Sequence, residues 1–124
     1  MPDILLIDDM AGVRRAVVSM LTRAGHRVTE AESGSRGMDL LRSRHFDLVI
    51  TDMLMPGMDG ADVLSEVGSL PARPRLIAIS GGGAGVSAES ALRLARLKAD
   101  AFLEKPFDAE ALLAAVDKLL VKSP

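Results

Sequence analysis

The 124-residue sequence predicts an α/β fold: a doubly wound, five-stranded parallel sheet with helices on both faces. Two observations carry this prediction. Short, nearly continuous apolar runs such as Ile4-Leu5-Leu6-Ile7 have the pattern of strands buried on both faces. Stretches with apolar residues at helical spacing separate each run from the next. Strands that alternate with helices cannot pair as hairpins, so the sheet should be parallel, with right-handed crossovers.

The elements follow in order along the chain. After the first strand, Val13, Val17, Met20, Leu21 and Ala24 mark one face of a helix, and Gly25 follows as its C-terminal cap. Arg27-Val28-Thr29 is a short second strand, interrupted by a charge. A second helix is expected over 35–43, with Met38 and Leu41 turned inward. Leu48-Val49-Ile50 forms the third strand. Asp59 can cap a third helix, with Asp62 suiting its positive end; that helix carries Val63, Leu64 and Val67 and stops at Gly68. Leu76-Ile77-Ala78-Ile79 is the fourth strand, and Ala88, Ala91, Leu92 and Ala95 are the stripe of a fourth helix. Ala101-Phe102-Leu103 gives the fifth strand. The last helix begins near Asp108 and carries Leu112, Leu113, Val116, Leu119 and Leu120.

Composition narrows the class of protein. With 48% apolar and 26% charged residues, the chain is expected to be a single domain, 1–124, able to bury a core without staples. The absence of cysteine excludes disulfides, thiolate metal sites and cysteine nucleophiles. A net charge of −2 with dispersed basic residues gives no nucleic-acid surface. The N-terminus lacks the basic segment and apolar run of a signal peptide, and no apolar stretch reaches the ~20 residues that span a bilayer. The expected location is cytoplasmic, without a membrane or nucleic-acid partner. Phe46, Phe102 and Phe107 are the only aromatic residues, which argues against a stacked flavin or base-binding platform.

In open parallel α/β sheets, ligands bind outside the carboxyl ends of the strands. There the first strand brings Asp8-Asp9, the third Thr51-Asp52, the fourth Ser80 followed by Gly81-Gly82-Gly83, and the fifth Glu104-Lys105-Pro106. Alone, Asp8-Asp9 could be a helix N-cap; with Asp52 and Lys105 the pair gains another meaning. Crowded carboxylates repel and tend to raise one another's pKa, a cost that a divalent cation removes. An all-oxygen set suits Mg²⁺ rather than zinc. A cation, an ammonium and a hydroxyl around one carboxylate are the parts that stabilise a transferring phosphoryl group, with Asp52 as nucleophile.

Five segments in order, Ile7-Asp8-Asp9, Ile50-Thr51-Asp52, Met55-Pro56-Gly57-Met58-Asp59-Gly60, Ile79-Ser80 and Lys105-Pro106-Phe107, resemble those of the receiver domain of the two-component response-regulator family. The resemblance covers essentially the whole chain. It implies a (βα)5 flavodoxin-like receiver fold. It also implies that Asp52 accepts a phosphoryl group from a phosphohistidine on a histidine kinase or histidine phosphotransfer protein. Asp9 and Asp52 would ligate Mg²⁺ directly with the backbone carbonyl of Leu54, and Asp8 mainly through water. Ser80 would bond a phosphoryl oxygen, Lys105 would pair with the phosphorylated carboxylate, and the Lys105-Pro106 peptide would be cis. Phe102 stands where a ring turns inward once the Ser80 hydroxyl is drawn to the phosphate. The surface of the fourth helix, fifth strand and fifth helix would then change and be read by a downstream protein. On this reading the chain is no enzyme beyond its own phosphorylation and dephosphorylation, and is a monomer or a weak dimer through the helix 4/helix 5 face.

Some positions depart from the family's commoner pattern. Glycines cluster after Ser80, as a mobile loop or merely a long connection. Phe102 lacks the hydroxyl of the commoner Tyr. Neither Leu54 nor Gly82 can orient an attacking water, which predicts slow self-dephosphorylation. His26 and His45 are expected to be solvated loop residues, and Arg14-Arg15 and Arg93 with Arg96 solvated helix faces. Leu94 and Leu97 fall off their helix's stripe, as core or as an exposed contact. The alternatives are a receiver-like interaction module that is not phosphorylated, a Mg-dependent aspartyl phosphotransferase of the haloacid-dehalogenase type, and an FMN carrier. The phosphotransferase needs a second Asp where Leu54 stands, and the carrier lacks its aromatic platform. Met1 and the short tail 121–124 favour a stand-alone receiver over a piece of a larger regulator.

Overall fold

The computed structural model describes residues 2–52, 65–70, 73–80, 99–105 and 107–120. Five strands, β1 (Asp3–Ile7), β2 (Arg27–Ala31), β3 (Leu48–Asp52), β4 (Arg75–Ser80) and β5 (Ala101–Glu104), form one sheet. All four pairings are parallel, in the order β2-β1-β3-β4-β5. The described helices are α1 (Ala11–Arg23), α2 (Gly34–Ser43) and α3 (Ala109–Leu120), the last being the fifth of the predicted helices.

Side-chain alternation along the strands divides the core into two layers. On one face Leu5, Ile7, Val49, Leu76 and Ala78 pack with Met38 and Leu41 of α2, Phe46 and Val67. On the other, Ile4, Leu6, Leu48, Ile50, Ile77 and Ile79 pack with Val17 and Leu21 of α1 and Leu112 and Val116 of α3. Ile4–Ile7, Leu48–Ile50 and Leu76–Ile79 are therefore apolar without a break, because each successive residue meets a helix layer on one side or the other. The edge strand β2 is exposed or half-buried up to Ala31. That edge position explains its polar sequence, and it extends two residues beyond the short run Arg27-Val28-Thr29.

Local chemistry sets the helix ends. Ser33 Oγ accepts the Arg36 N–H at 3.1 Å and caps α2, while Asp108 Oδ1 accepts the Ala111 N–H at 2.8 Å and caps α3. Past α1, Gly25 takes φ 93°, a left-handed conformation that glycine adopts without the Cβ clash. In α2, Gly37 lies directly over β1: a Cβ there would come within 2.8 Å of Ile7 Cγ1. Of the predicted third helix, the described part is the helical turn at 65–68, with Val67 fully buried and the helix ending at Gly68 as expected. Its Asp59 start, the fourth helix with Leu94 and Leu97, the glycine cluster after Ser80, and Arg93 and Arg96 lie outside the described residues.

Candidate functional site

Strand order brings the acidic residues together. β1 and β3 are neighbours in register, Ile7 against Thr51, so Asp8 and Asp52 emerge side by side at their carboxyl ends. The β3–β4 register sets Asp52 against Ile79, and β4–β5 sets Ser80 against Glu104, so Lys105 leaves β5 at the same edge. Asp8 is fully buried, Asp52 is 4% exposed and Asp9 is exposed. Each of the three offers a carboxylate oxygen within 4.8 Å of the others.

Lys105 joins the cluster from the fifth strand. Its Nζ donates to Asp52 Oδ2 at 3.0 Å and lies 3.6 Å from Asp8 Oδ2. Burial acts to lower the Lys105 pKa, but the bond to and charge of Asp52, then Asp8, outweigh it and hold the ammonium above its ordinary 10.5. Asp8 is held above the ordinary carboxylate value of 3.8. The main cause is burial rather than the mutual repulsion anticipated from the sequence; the charges of Asp52 and Asp9 add to it, and the Met10 N–H and Lys105 oppose it.

The backbone around Asp8 is held on every side. Its N–H donates to the Ala31 carbonyl at 3.1 Å, and its Oδ1 accepts the Met10 N–H at 2.9 Å. That contact precedes α1, whose N-cap residue Met10 makes no side-chain capping bond, so Asp8 does not act as a helix cap. Asp8 Oδ2 is buried without a hydrogen-bond partner among the described residues. A buried carboxylate oxygen with capacity to spare, two further carboxylates in reach and no nitrogen or sulfur donor together fit a hard, oxygen-seeking divalent cation.

The structure also places residues whose part the sequence concealed. Arg14 is not on a solvated face: its side chain is 18% exposed, Nη1 donates to the Asp8 carbonyl at 2.8 Å and Nε to Glu30 Oε1 at 3.2 Å. Arg15 is exposed, as expected. His26 departs from the solvated reading, with a buried Nδ1 lacking a partner among the described residues, whereas His45 is exposed and lies 3.6 Å from Asp47. Phe102 is half-buried against the core layer on the α2 side. Leu54, Pro106 and the Ser80 side chain fall outside the described residues; the Ser80 backbone closes β4.

Known proteins are similar to this chain in sequence and fold. Residues 4–117 match the family model described as the response regulator receiver domain. The chemotaxis protein CheY of Bacillus subtilis (strain 168) is 34% identical over 120 residues, covering 94% of this chain and 96% of CheY. The transcriptional regulatory protein AfsQ1 of Streptomyces coelicolor is 45% identical over 67 residues, 54% of this chain. The alignment spans 30% of AfsQ1's length, so that relative is much longer than this chain. Among solved structures, the response regulator protein TrrA from Thermotoga maritima, in complex with Mg²⁺-BeF, superposes with a TM-score of 0.83 at 30% identity. That match covers 97% of this chain and 100% of TrrA.

Proposed function

The chain belongs to the response regulator receiver domain family, and from that premise we propose that Asp52 is its phosphoryl acceptor in a two-component phosphorelay. The observation that carries the proposal is the junction at the sheet edge: an ammonium 3.0 Å from a nearly buried aspartate, with two more carboxylates beside it. The donor is a phosphohistidine on a histidine kinase or a histidine phosphotransfer protein. A carboxylate oxygen of Asp52 attacks phosphorus, the P–N bond breaks, and the departing imidazole nitrogen takes up a proton. Lys105, fixed on Asp52 Oδ2, sets how the carboxylate faces the donor and remains as positive charge when the acyl phosphate brings more negative charge.

Asp9, Asp52 and the Leu54 carbonyl would hold Mg²⁺, with Asp8 acting mainly through water, and the ion would supply charge neutralisation for the crowded carboxylates and the phosphoryl oxygens. Support comes from the fit of the acidic cluster and from TrrA, which is a complex with Mg²⁺-BeF. Ser80, at the end of β4, bonds a phosphoryl oxygen, and Phe102 turns further into the core as the Ser80 loop moves. The surface of the predicted fourth helix, β5 and α3 then changes for a downstream protein. Residues 1–124 act as one receiver domain in the cytoplasm, as a monomer or weak dimer through the helix 4/helix 5 face. The domain catalyses only its own phosphorylation and dephosphorylation. No described helix is long and apolar enough to cross a membrane.

The test is intact mass after incubation with Mg²⁺ and a small acyl phosphate, repeated with a phosphorylated histidine donor. The native chain should gain one phosphoryl group and Asp52→Asn none. A folded native chain that gains nothing from either donor would sink the proposal and leave the interaction-module reading.

A further inference from the structure

We propose that Arg14 is a positioning residue for the acidic pair: it fixes the peptide between Asp8 and Asp9 so that the two carboxylates present themselves to a divalent cation. This rests on the reading of the cluster as a cation site. The guanidinium is a two-point brace. Nη1 holds the Asp8 carbonyl at 2.8 Å, and Nε holds Glu30 Oε1 at 3.2 Å, anchoring the brace to the adjacent strand β2. The Asp8 N–H is already held by Ala31 and its Oδ1 by the Met10 N–H. The carbonyl is therefore the remaining backbone polar group of Asp8, and its orientation sets where the next residue, Asp9, begins.

Charge and position make opposite predictions here, which is what makes the inference testable. Arg14 puts a positive charge beside a cation site, so by Coulomb's law alone its removal should tighten cation binding. If its work is positional, removal should weaken binding instead, because a ligand that loses its supporting bonds samples unproductive directions.

The experiment is calorimetric titration of the full chain with Mg²⁺ alone, together with amide hydrogen exchange at Met10, whose N–H reports the Asp8 turn directly. Arg14→Ala should bind Mg²⁺ about ten-fold more weakly, the lower end of the usual effect of a supporting-shell mutation. Its Met10 amide should exchange faster. Arg15→Ala removes the same charge from the exposed neighbour and should bind Mg²⁺ as tightly as the native chain or slightly more tightly. Arg14→Lys keeps the charge, but one ammonium cannot serve carbonyl and carboxylate as the planar fork does, so it should recover only part of the affinity. Should Arg14→Ala fail to fold, Glu30→Gln loosens the brace more gently and should weaken binding in the same direction. Equal or tighter binding by folded Arg14→Ala, with native binding intact, overturns the inference alone. A native chain that binds no Mg²⁺ overturns the reading of the site, and this inference with it.

Discussion

Asp8 carries a cost for the fold that its place in the site accounts for. Its carboxyl is fully buried and held above its ordinary value, so ionisation is harder in the folded chain than in the unfolded one. For a group shifted that way, the stabilising contribution is complete below 3.8, the ordinary value, and is lost as pH rises through the folded pKa. Asp8→Asn keeps an oxygen for the Met10 N–H and removes the charge. It should therefore melt a few degrees higher than the native chain at neutral pH without metal, a shift of the size that about 1 kcal/mol produces in a domain of this length. The gap should close on acidification and reverse with saturating Mg²⁺, which stabilises the native chain by mass action. Melting curves across pH, with and without the ion, check both signs. Asp8, Asp9, Asp52 and Lys105 were legible because each follows an apolar run in an alternating pattern, and strand ends can be read one at a time. Arg14 was not. An arginine beside another arginine on a helix has the pattern of a solvated face, and only the proximity of β2, with Glu30, turns it inward.

At the level of elements, burial on both faces made the central strands easy to recognise, since β3 is buried at all five positions. β2 was read short because an edge strand packs on fewer neighbours, so its polar residues obscure its length. The approach of α2 to β1 left no trace in hydrophobic periodicity, because it depends on an atom that is missing. Gly37 has no Cβ, and the buried Ile7 side chain fills that space. Gly37→Ala would recover about 0.5–1 kcal/mol of helix propensity. Overpacking against Ile7 costs about 1–3 kcal/mol, so the net change should be destabilising. Urea denaturation should show a lower midpoint for Gly37→Ala, whereas alanine at Gly12, where a Cβ meets nothing within 4 Å, should raise it. A higher midpoint at Gly37 would show that Ile7 yields more easily than a packed core side chain should.

For the whole molecule, alternation of strands and helices dictated a parallel sheet, but no residue pattern by itself specifies the order β2-β1-β3-β4-β5. That order rests on long-range pairings, Ile7 with Thr51 and Ser80 with Glu104 among them. It has an effect on motion as well as on geometry. β5 is an outer strand, paired with β4 alone, half-buried along most of its length, and it delivers Lys105. The countercharge of the acidic cluster thus hangs on an edge strand of the sheet, and the ammonium's attraction to Asp52 and Asp8 helps hold the end of that strand in place. Mg²⁺ bound at the cluster would neutralise those carboxylates and relax the attraction; by reciprocity, the Lys105 contact would then weaken Mg²⁺ binding by the same factor. Adding Mg²⁺ should therefore speed hydrogen exchange of the β5 amides relative to those of β1 and β3, and Lys105→Met should abolish the difference. The cation and the edge strand would then be competitors for the same two carboxylates, so that occupancy of the site governs how often the sheet's outer edge opens.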